Sequence, residues 1–222
     1  METHATRRGE HGYGLVLVLV LASVIFQVAA PEGDLARFFT VALGAGTVLA
    51  AVYTSGVHPR IVQGSAALAV AATAGALGVL IIAGDVPDAA SAIVNGVLIA
   101  VAPTVVAYGL LRQLREESAV TLHSLGGVLA IYLLIGMFFS YCYGAVDRLD
   151  AGRLFAQTDM ATRSDELYFS YVTLSTVGFG DLTAASDLGR TLAVTEALLG
   201  QIYLVTIVAL IVSNLGTRRR RD

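Results

Sequence analysis

Residues 173–181 of this 222-residue chain read TLSTVGFGD. Their types and spacing suggest a specific chemistry. Gly178 and Gly180 alternate with larger residues, and glycine adopts the positive φ angles that other residues resist. Such alternation lets successive backbone carbonyls point the same way. A row of carbonyl oxygens can take the place of the water molecules that surround a cation. The Thr176 hydroxyl would add one more oxygen. The stretch therefore predicts a cation site made of main-chain oxygen atoms.

A short helix is predicted immediately before this stretch. Thr162, followed three residues later by Asp165, has the form of a capping box, which marks a helix start. The helix would run for about three turns, which at 1.5 Å per residue is too short to cross a bilayer. Non-helical backbone at membrane depth is tolerated only where it lines a polar cavity or is buried in protein. The helix and the glycine-containing stretch together predict a re-entrant loop.

The composition predicts an integral membrane protein around this loop. The chain is 56% hydrophobic and only 14% charged, whereas soluble domains carry about 25% charged residues. Apolar stretches of roughly 20 residues are long enough to cross a bilayer. The predicted fold is all-α, with six transmembrane helices and the re-entrant loop between the fifth and sixth; the spans are 13–30, 38–57, 61–83, 89–111, 122–145 and 191–215.

The arginines predict an orientation for these spans. Arg7, Arg8, Arg60, Arg112 and Arg115 all fall on one side of the membrane, as does the run 218–221. The positive-inside rule then places both termini in the cytoplasm and the TVGFGD stretch on the outer side of the cell membrane.

The first span has an alternative interpretation. An arginine pair, an apolar stretch and VAA at 28–30 also fit a cleavable signal peptide. Pro31 after the cleavage position and the long apolar run favour a retained helix.

The sequence TVGFGD resembles the selectivity filter of the potassium channel family, whose usual form is TVGYGD. The resemblance covers about 121–216 and implies a pore lined by Thr176, Val177, Gly178, Phe179 and Gly180. It implies K⁺ sites at the first four of these residues and Asp181 at the outer mouth. Phe179 in place of tyrosine departs from the usual pattern and removes a phenol hydroxyl that could brace the filter.

The resemblance extends to residues around the filter. Tyr168 and Phe169 match an aromatic pair that packs around it, with Val172 on the same short helix, and Gly200 matches a gating-hinge glycine. One filter per chain implies a homotetramer, since four chains complete each ring of carbonyls. The resemblance divides the chain into a peripheral four-helix domain, 1–117, and a pore domain, 118–222.

The last span contains further candidate residues. Glu196 is the only ionisable residue deep within a span, and such carboxyl groups are costly and by default functional. It would either hydrogen-bond the short helix or the fifth span, or contact ions. Gly200 could be a hinge or a close-packing position. Val208 and Val212 are candidates for the cavity wall and the cytoplasmic constriction.

The fourth span lacks the charges of a voltage sensor. A sensor needs several arginines within the span, and 89–111 contains none. We therefore predict little intrinsic voltage dependence.

The predicted partners are K⁺ ions and membrane lipids, with anionic lipid at the basic run near the end of the sequence. No cofactor and no nucleic acid are expected. The basic run consists of Arg218, Arg219, Arg220 and Arg221.

Two other functions fit parts of the same sequence. GFGD also satisfies the GxGD pattern of intramembrane aspartyl proteases, but that chemistry needs two aspartates sharing a proton, and no second aspartate lies inside a span. A non-selective cation channel is the nearer alternative, because such channels can keep most of the TVG sequence. The preferred prediction is a potassium-selective channel that is not an enzyme.

Overall fold

The computed structural model describes residues 12–30, 33–55, 59–83, 88–117, 122–149, 153–159 and 161–218. In these ranges the chain forms seven α-helices and one isolated β-bridge. The helices are α1 (Gly12–Ala29), α2 (Asp34–Thr54), α3 (Pro59–Ala83), α4 (Asp88–Glu117), α5 (Leu122–Leu149), α6 (Arg163–Leu174) and α7 (Asp187–Arg218).

A helix lies at each of the six predicted spans, and the long apolar stretches explain why. Within the described residues, three helices are long and apolar enough to cross a membrane, namely Asp34–Thr54, Ile93–Leu110 and Leu125–Arg148. Tyr13–Ala29 and Gln63–Val79 are shorter apolar stretches. The secondary structure of the described residues is therefore helical apart from the one bridge, with three potential membrane spans by length and composition.

The short helix α6 begins where the sequence predicts it. Thr162 Oγ1 accepts a hydrogen bond from the Asp165 N–H at 3.1 Å, and Asp165 Oδ2 accepts one from the Thr162 N–H at 3.0 Å. Both halves of the capping box are present, so two N–H groups at the helix start are satisfied. The predicted capping box and short helix are confirmed.

One hydrophobic core joins the first four helices to α5. It contains Val16 of α1, Val48 of α2, Leu98 of α4, Leu134 of α5 and Leu167 of α6, all 1% exposed or less. The core therefore runs across the predicted domain boundary at residues 117 and 118. Helices α1 and α4 pack on α5, and α1 also reaches α6.

Helix α6 lies directly on α5 at Gly136. A Cβ atom at this position would be 2.5 Å from the Tyr171 ring, closer than real Cβ contacts come. Tyr171 Oη then donates a hydrogen bond to the Leu133 carbonyl at 2.8 Å. The absence of a side chain at Gly136 thus allows α6 to approach α5 this closely, and the 176–181 segment follows the C-terminus of α6.

Candidate functional site

The 176–181 segment leaves α6 with an alternating backbone. Thr176, Gly178 and Gly180 have φ angles of 58°, 56° and 80°, and no other described residue lies in this left-handed region. The glycine angles confirm the conformational prediction made from the sequence. The Thr176 angle was not predicted, because a β-branched residue is rarely left-handed. All residues of the segment are exposed in a single chain.

Hydrogen bonds hold the start of the segment to the end of α6. The Thr176 N–H donates to the Thr173 carbonyl at 2.9 Å, and the N–H groups of Val177 and Gly178 donate to the Val172 carbonyl at 3.0 and 3.3 Å. In the described part of the chain, no hydrogen bond is accepted by the backbone carbonyls of residues 176–180. The segment therefore uses N–H groups for its attachment and leaves a row of carbonyl oxygens available.

Tyr168 braces the far end of the segment. Its hydroxyl donates a hydrogen bond to Asp181 Oδ2 at 2.7 Å, and its ring stacks on Phe179 with centroids 6.4 Å apart and planes 5° apart. The hydrogen bond to Asp181 raises the pKa of the Tyr168 phenol. A phenol hydroxyl from α6 therefore lies at this end of the segment, beside the Phe179 ring, which carries none.

The neighbouring Phe169 points into a second, smaller core. It is buried, and its ring makes edge contacts with Tyr143 and Phe155 at centroid distances of 5.0 Å each. Val172, which the sequence analysis grouped with this pair, is half-buried. Its carbonyl accepts the hydrogen bonds from the N–H groups of Val177 and Gly178. The aromatic pair therefore has two roles, with Tyr168 against the 176–181 segment and Phe169 anchoring α6.

Glu196 lies at the meeting point of α5, α6 and α7. Its side chain is fully buried, and its Oε2 accepts a hydrogen bond from the Tyr143 hydroxyl at 2.7 Å. Ser170 Oγ lies 2.5 Å from Glu196 Oε1 and 2.6 Å from the Gly136 carbonyl. Both hydrogen-bonding neighbours that the sequence suggested, the short helix and the fifth span, are present.

Gly200 packs against the C-terminus of α6. A Cβ atom at this position would overlap the Leu174 carbonyl oxygen and lie 2.9 Å from Leu174 Cδ1. The structure thus places a close-packing contact at the predicted hinge residue. The side chains of Val208 and Val212 lie outside the described residues, as do Arg219, Arg220 and Arg221, while Arg218 is the last residue of α7.

An ion pair that sequence reasoning missed lies at the start of α6, with Glu166 buried and Arg148 half-buried. Arg148 Nη1 is 2.7 Å from Glu166 Oε1 and donates a second hydrogen bond to the Gly144 carbonyl at 2.6 Å. Burial raises the pKa of Glu166 to about 7, and the charge and hydrogen bond of Arg148 oppose that shift. The sequence shows only that Arg148 and Glu166 have opposite charges. Because they are 18 residues apart, no helical or strand spacing indicates that they pair.

Residues 127–216 match the model of a family described as "Ion channel". The match supports an ion channel. It covers nearly all of α5, all of α6 and the 176–181 segment, and α7 up to its last residues, which is less than half of the chain. Comparisons with curated proteins and with solved structures found no match. An ion channel carries out transport rather than covalent chemistry, and the apolar helices agree with a membrane protein.

Proposed function

We propose that this chain is a subunit of a potassium-selective channel that conducts K⁺ passively across the plasma membrane. The observation that supports it best is the row of carbonyls at 176–180, where the backbone φ angles alternate in sign. These carbonyls accept no hydrogen bond from the described residues. Rings of backbone carbonyls replace the hydration shell of K⁺ in selectivity filters. We propose K⁺ sites at Thr176, Val177, Gly178 and Phe179, with Asp181 at the outer mouth.

The exposure of the segment supports an assembly of four chains. A single chain supplies one row of carbonyls, whereas a ring around an ion needs several. The neighbouring helix α7 also has an apolar face that the described residues leave exposed, formed by Val194, Leu198, Ile202 and Val205. We propose that four copies surround the pore and that this face packs between them.

The proposed topology has both termini in the cytoplasm, which is the arrangement that the positive-inside pattern favours. The terminal arginines would then lie at the anionic inner leaflet. Labelling of single cysteines placed in the 153–159 segment and near residue 217 in intact cells tests this arrangement. Outside access to the second site would contradict it.

The reversal potential of reconstituted protein under opposed K⁺ and Na⁺ gradients tests the proposed selectivity. We expect it to lie close to the K⁺ equilibrium potential. Gly178→Ala should remove selectivity, because its φ of 56° costs about 1–2 kcal/mol per chain for a residue with a Cβ. Gly78→Ala on α3 is the matched control, since a Cβ atom added at either glycine would have nothing within 4 Å and only Gly178 has a positive φ.

Equal permeability to K⁺ and Na⁺ in the wild-type protein would contradict the selective channel and favour the non-selective one. The same recordings test gating by voltage. We expect a shallow dependence of open probability on voltage, because the 89–111 stretch of α4 contains no arginine. Steep voltage activation would contradict this part of the proposal.

Tyr168→Phe should shorten the time for which the channel stays conducting. The substitution removes the hydrogen bond to Asp181 and keeps the ring that stacks on Phe179. We expect a several-fold faster decline of current during sustained opening, with the initial K⁺ selectivity unchanged. Tyr108→Phe on α4 is the control, because Tyr108 is also exposed. An unchanged rate of decline would show that the hydrogen bond does not support the conducting state.

A further inference from the structure

The short segment 154–157, between α5 and α6, pairs with the chain that follows the filter. Phe155 and Ala184 form an antiparallel β-bridge. The Ala156 N–H donates a hydrogen bond to the Thr183 carbonyl at 3.0 Å, and the Ala185 N–H donates one to the Leu154 carbonyl at 2.8 Å. The chain leaving residue 181 is therefore held by main-chain pairing to a segment distant in sequence.

The Gln157 side chain adds a second pair of bonds to the same place. Its Nε2 donates to Thr183 Oγ1 at 2.8 Å, and its Oε1 accepts from the Thr183 N–H at 2.9 Å. Thr183 thus directs its N–H, its carbonyl and its hydroxyl to this one segment. Such complete pairing of an exposed residue fixes the backbone two residues after Asp181.

The segment is itself anchored to α6. Leu154 and Phe155 are 1% and 0% exposed, and the Phe155 ring meets Phe169 of α6 edge to face at a centroid distance of 5.0 Å. Helix α6 also holds the start of the filter through the Val172 carbonyl. The start of the filter is therefore tied to α6 directly, and the chain after Asp181 is tied to the same helix through 154–157, in addition to the hydrogen bond from Tyr168 to Asp181.

We propose that residues 154–157 form an outer clamp that keeps the filter open, with Gln157 as a positioning residue acting through Thr183. This rests on the proposed function. The carbonyls of 176–180 accept no hydrogen bond from the described residues, so hydrogen bonds from those residues do not offset the mutual repulsion of the carbonyls, whereas bound cations would. When cations are scarce, ties at both ends of the filter would help to keep its shape.

Three variants of equal side-chain length test the clamp. Gln157→Met removes both side-chain hydrogen bonds. Gln157→Glu keeps the acceptor for the Thr183 N–H, and the Thr183 hydroxyl can turn to donate to the carboxylate. Gln63→Met places the same substitution on α3, at a position that is also exposed.

Two measurements are made on each full-length protein. The first is the decline of current at low and high external K⁺. The second is hydrogen exchange of the 182–186 peptide, which does not depend on conduction. We expect Gln157→Met to lose current several-fold faster at low external K⁺ only, and to exchange the Thr183 amide at least tenfold faster. Gln157→Glu and Gln63→Met should match the wild type in both.

The clamp would be overturned if Gln157→Met left the low-K⁺ decline unchanged, or if Gln157→Glu failed as badly as Gln157→Met. If Gln157→Met does not assemble, Thr183→Val takes its place, since it removes only the hydroxyl partner and should give a smaller effect of the same sign. No effect of Thr183→Val would then overturn the proposal. A wild type that conducts without K⁺ selectivity contradicts the proposed function alone, because the exchange result still tests the clamp.

Discussion

Gly200→Ala is expected to abolish K⁺ current. The added Cβ would overlap the Leu174 carbonyl oxygen and lie 2.9 Å from Leu174 Cδ1. Overpacking of this kind typically costs about 1–3 kcal/mol, and a backbone atom cannot move aside as the tip of a side chain can. Leu174 ends α6, and the proposed filter begins two residues later, so the strain falls on the attachment of the 176–181 segment to α6.

The hinge hypothesis for Gly200 predicts a different result. Loss of a flexible glycine would change open probability but leave conducting channels with normal selectivity. Single-channel recording therefore separates the two roles, since strain on α6 removes conducting events altogether. Gly75→Ala on α3 is the control, because nothing lies within 4 Å of its Cβ position and alanine there should stabilise the helix by up to about 1 kcal/mol.

Shortening the Leu174 side chain extends the same test. Leu174→Ala removes the Cδ1 contact but leaves the carbonyl oxygen in place. We therefore expect the double variant, Gly200→Ala with Leu174→Ala, to remain non-conducting. Restored current would show that the clash is with the side chain and that α6 can keep its position.

Features encoded by short stretches could be predicted from the sequence. Thr162 and Asp165 are three residues apart and form the capping box that starts α6. Gly178 and Gly180 adopt the positive φ angles that their residue type allows. Each of these depends on neighbours in the chain, so the residue types and their spacing carry the information.

Features that oppose the preference of the residue type, or that depend on tertiary packing, could not be predicted. Thr176 has a φ of 58°, which a β-branched residue rarely adopts. The pairing of Gln157 with Thr183 joins positions 26 residues apart. Its segment has no periodic pattern from which a partner could be inferred. The contact between α1 and α6 is of the same kind, since apolar periodicity shows which residues are buried but not what they pack against.

The buried carboxyl group of Glu196 leads to the second large expected effect. Ser170 has one hydroxyl hydrogen, and the Gly136 carbonyl, 2.6 Å away, can only accept. If that hydrogen is given to Gly136, the hydrogen in the 2.5 Å contact between Ser170 and Glu196 must come from Glu196. A neutral Glu196 then donates to Ser170 and accepts from Tyr143, so it is a hydrogen-bonding link rather than a charge.

Glutamine can make the same two hydrogen bonds, and leucine can make neither. We therefore expect Glu196→Gln to conduct and to unfold near the wild-type temperature. Glu196→Leu should destabilise each chain by about 1–3 kcal/mol, because it leaves the buried Tyr143 hydroxyl without its partner. Tyr143→Phe combined with Glu196→Leu should recover part of that loss, since replacing both partners of a hydrogen bond by apolar groups can be nearly neutral.

Thermal unfolding in detergent and current in bilayers, measured on all three variants, decide between the two roles of Glu196. A glutamine variant that conducts normally while the leucine variant is unstable would support the hydrogen-bonding link. A glutamine variant that folds normally but loses current would contradict it, because only the negative charge has then been removed. That outcome would instead assign Glu196 an electrostatic role toward the permeating ions, although its carboxyl group is fully buried between α5 and α6.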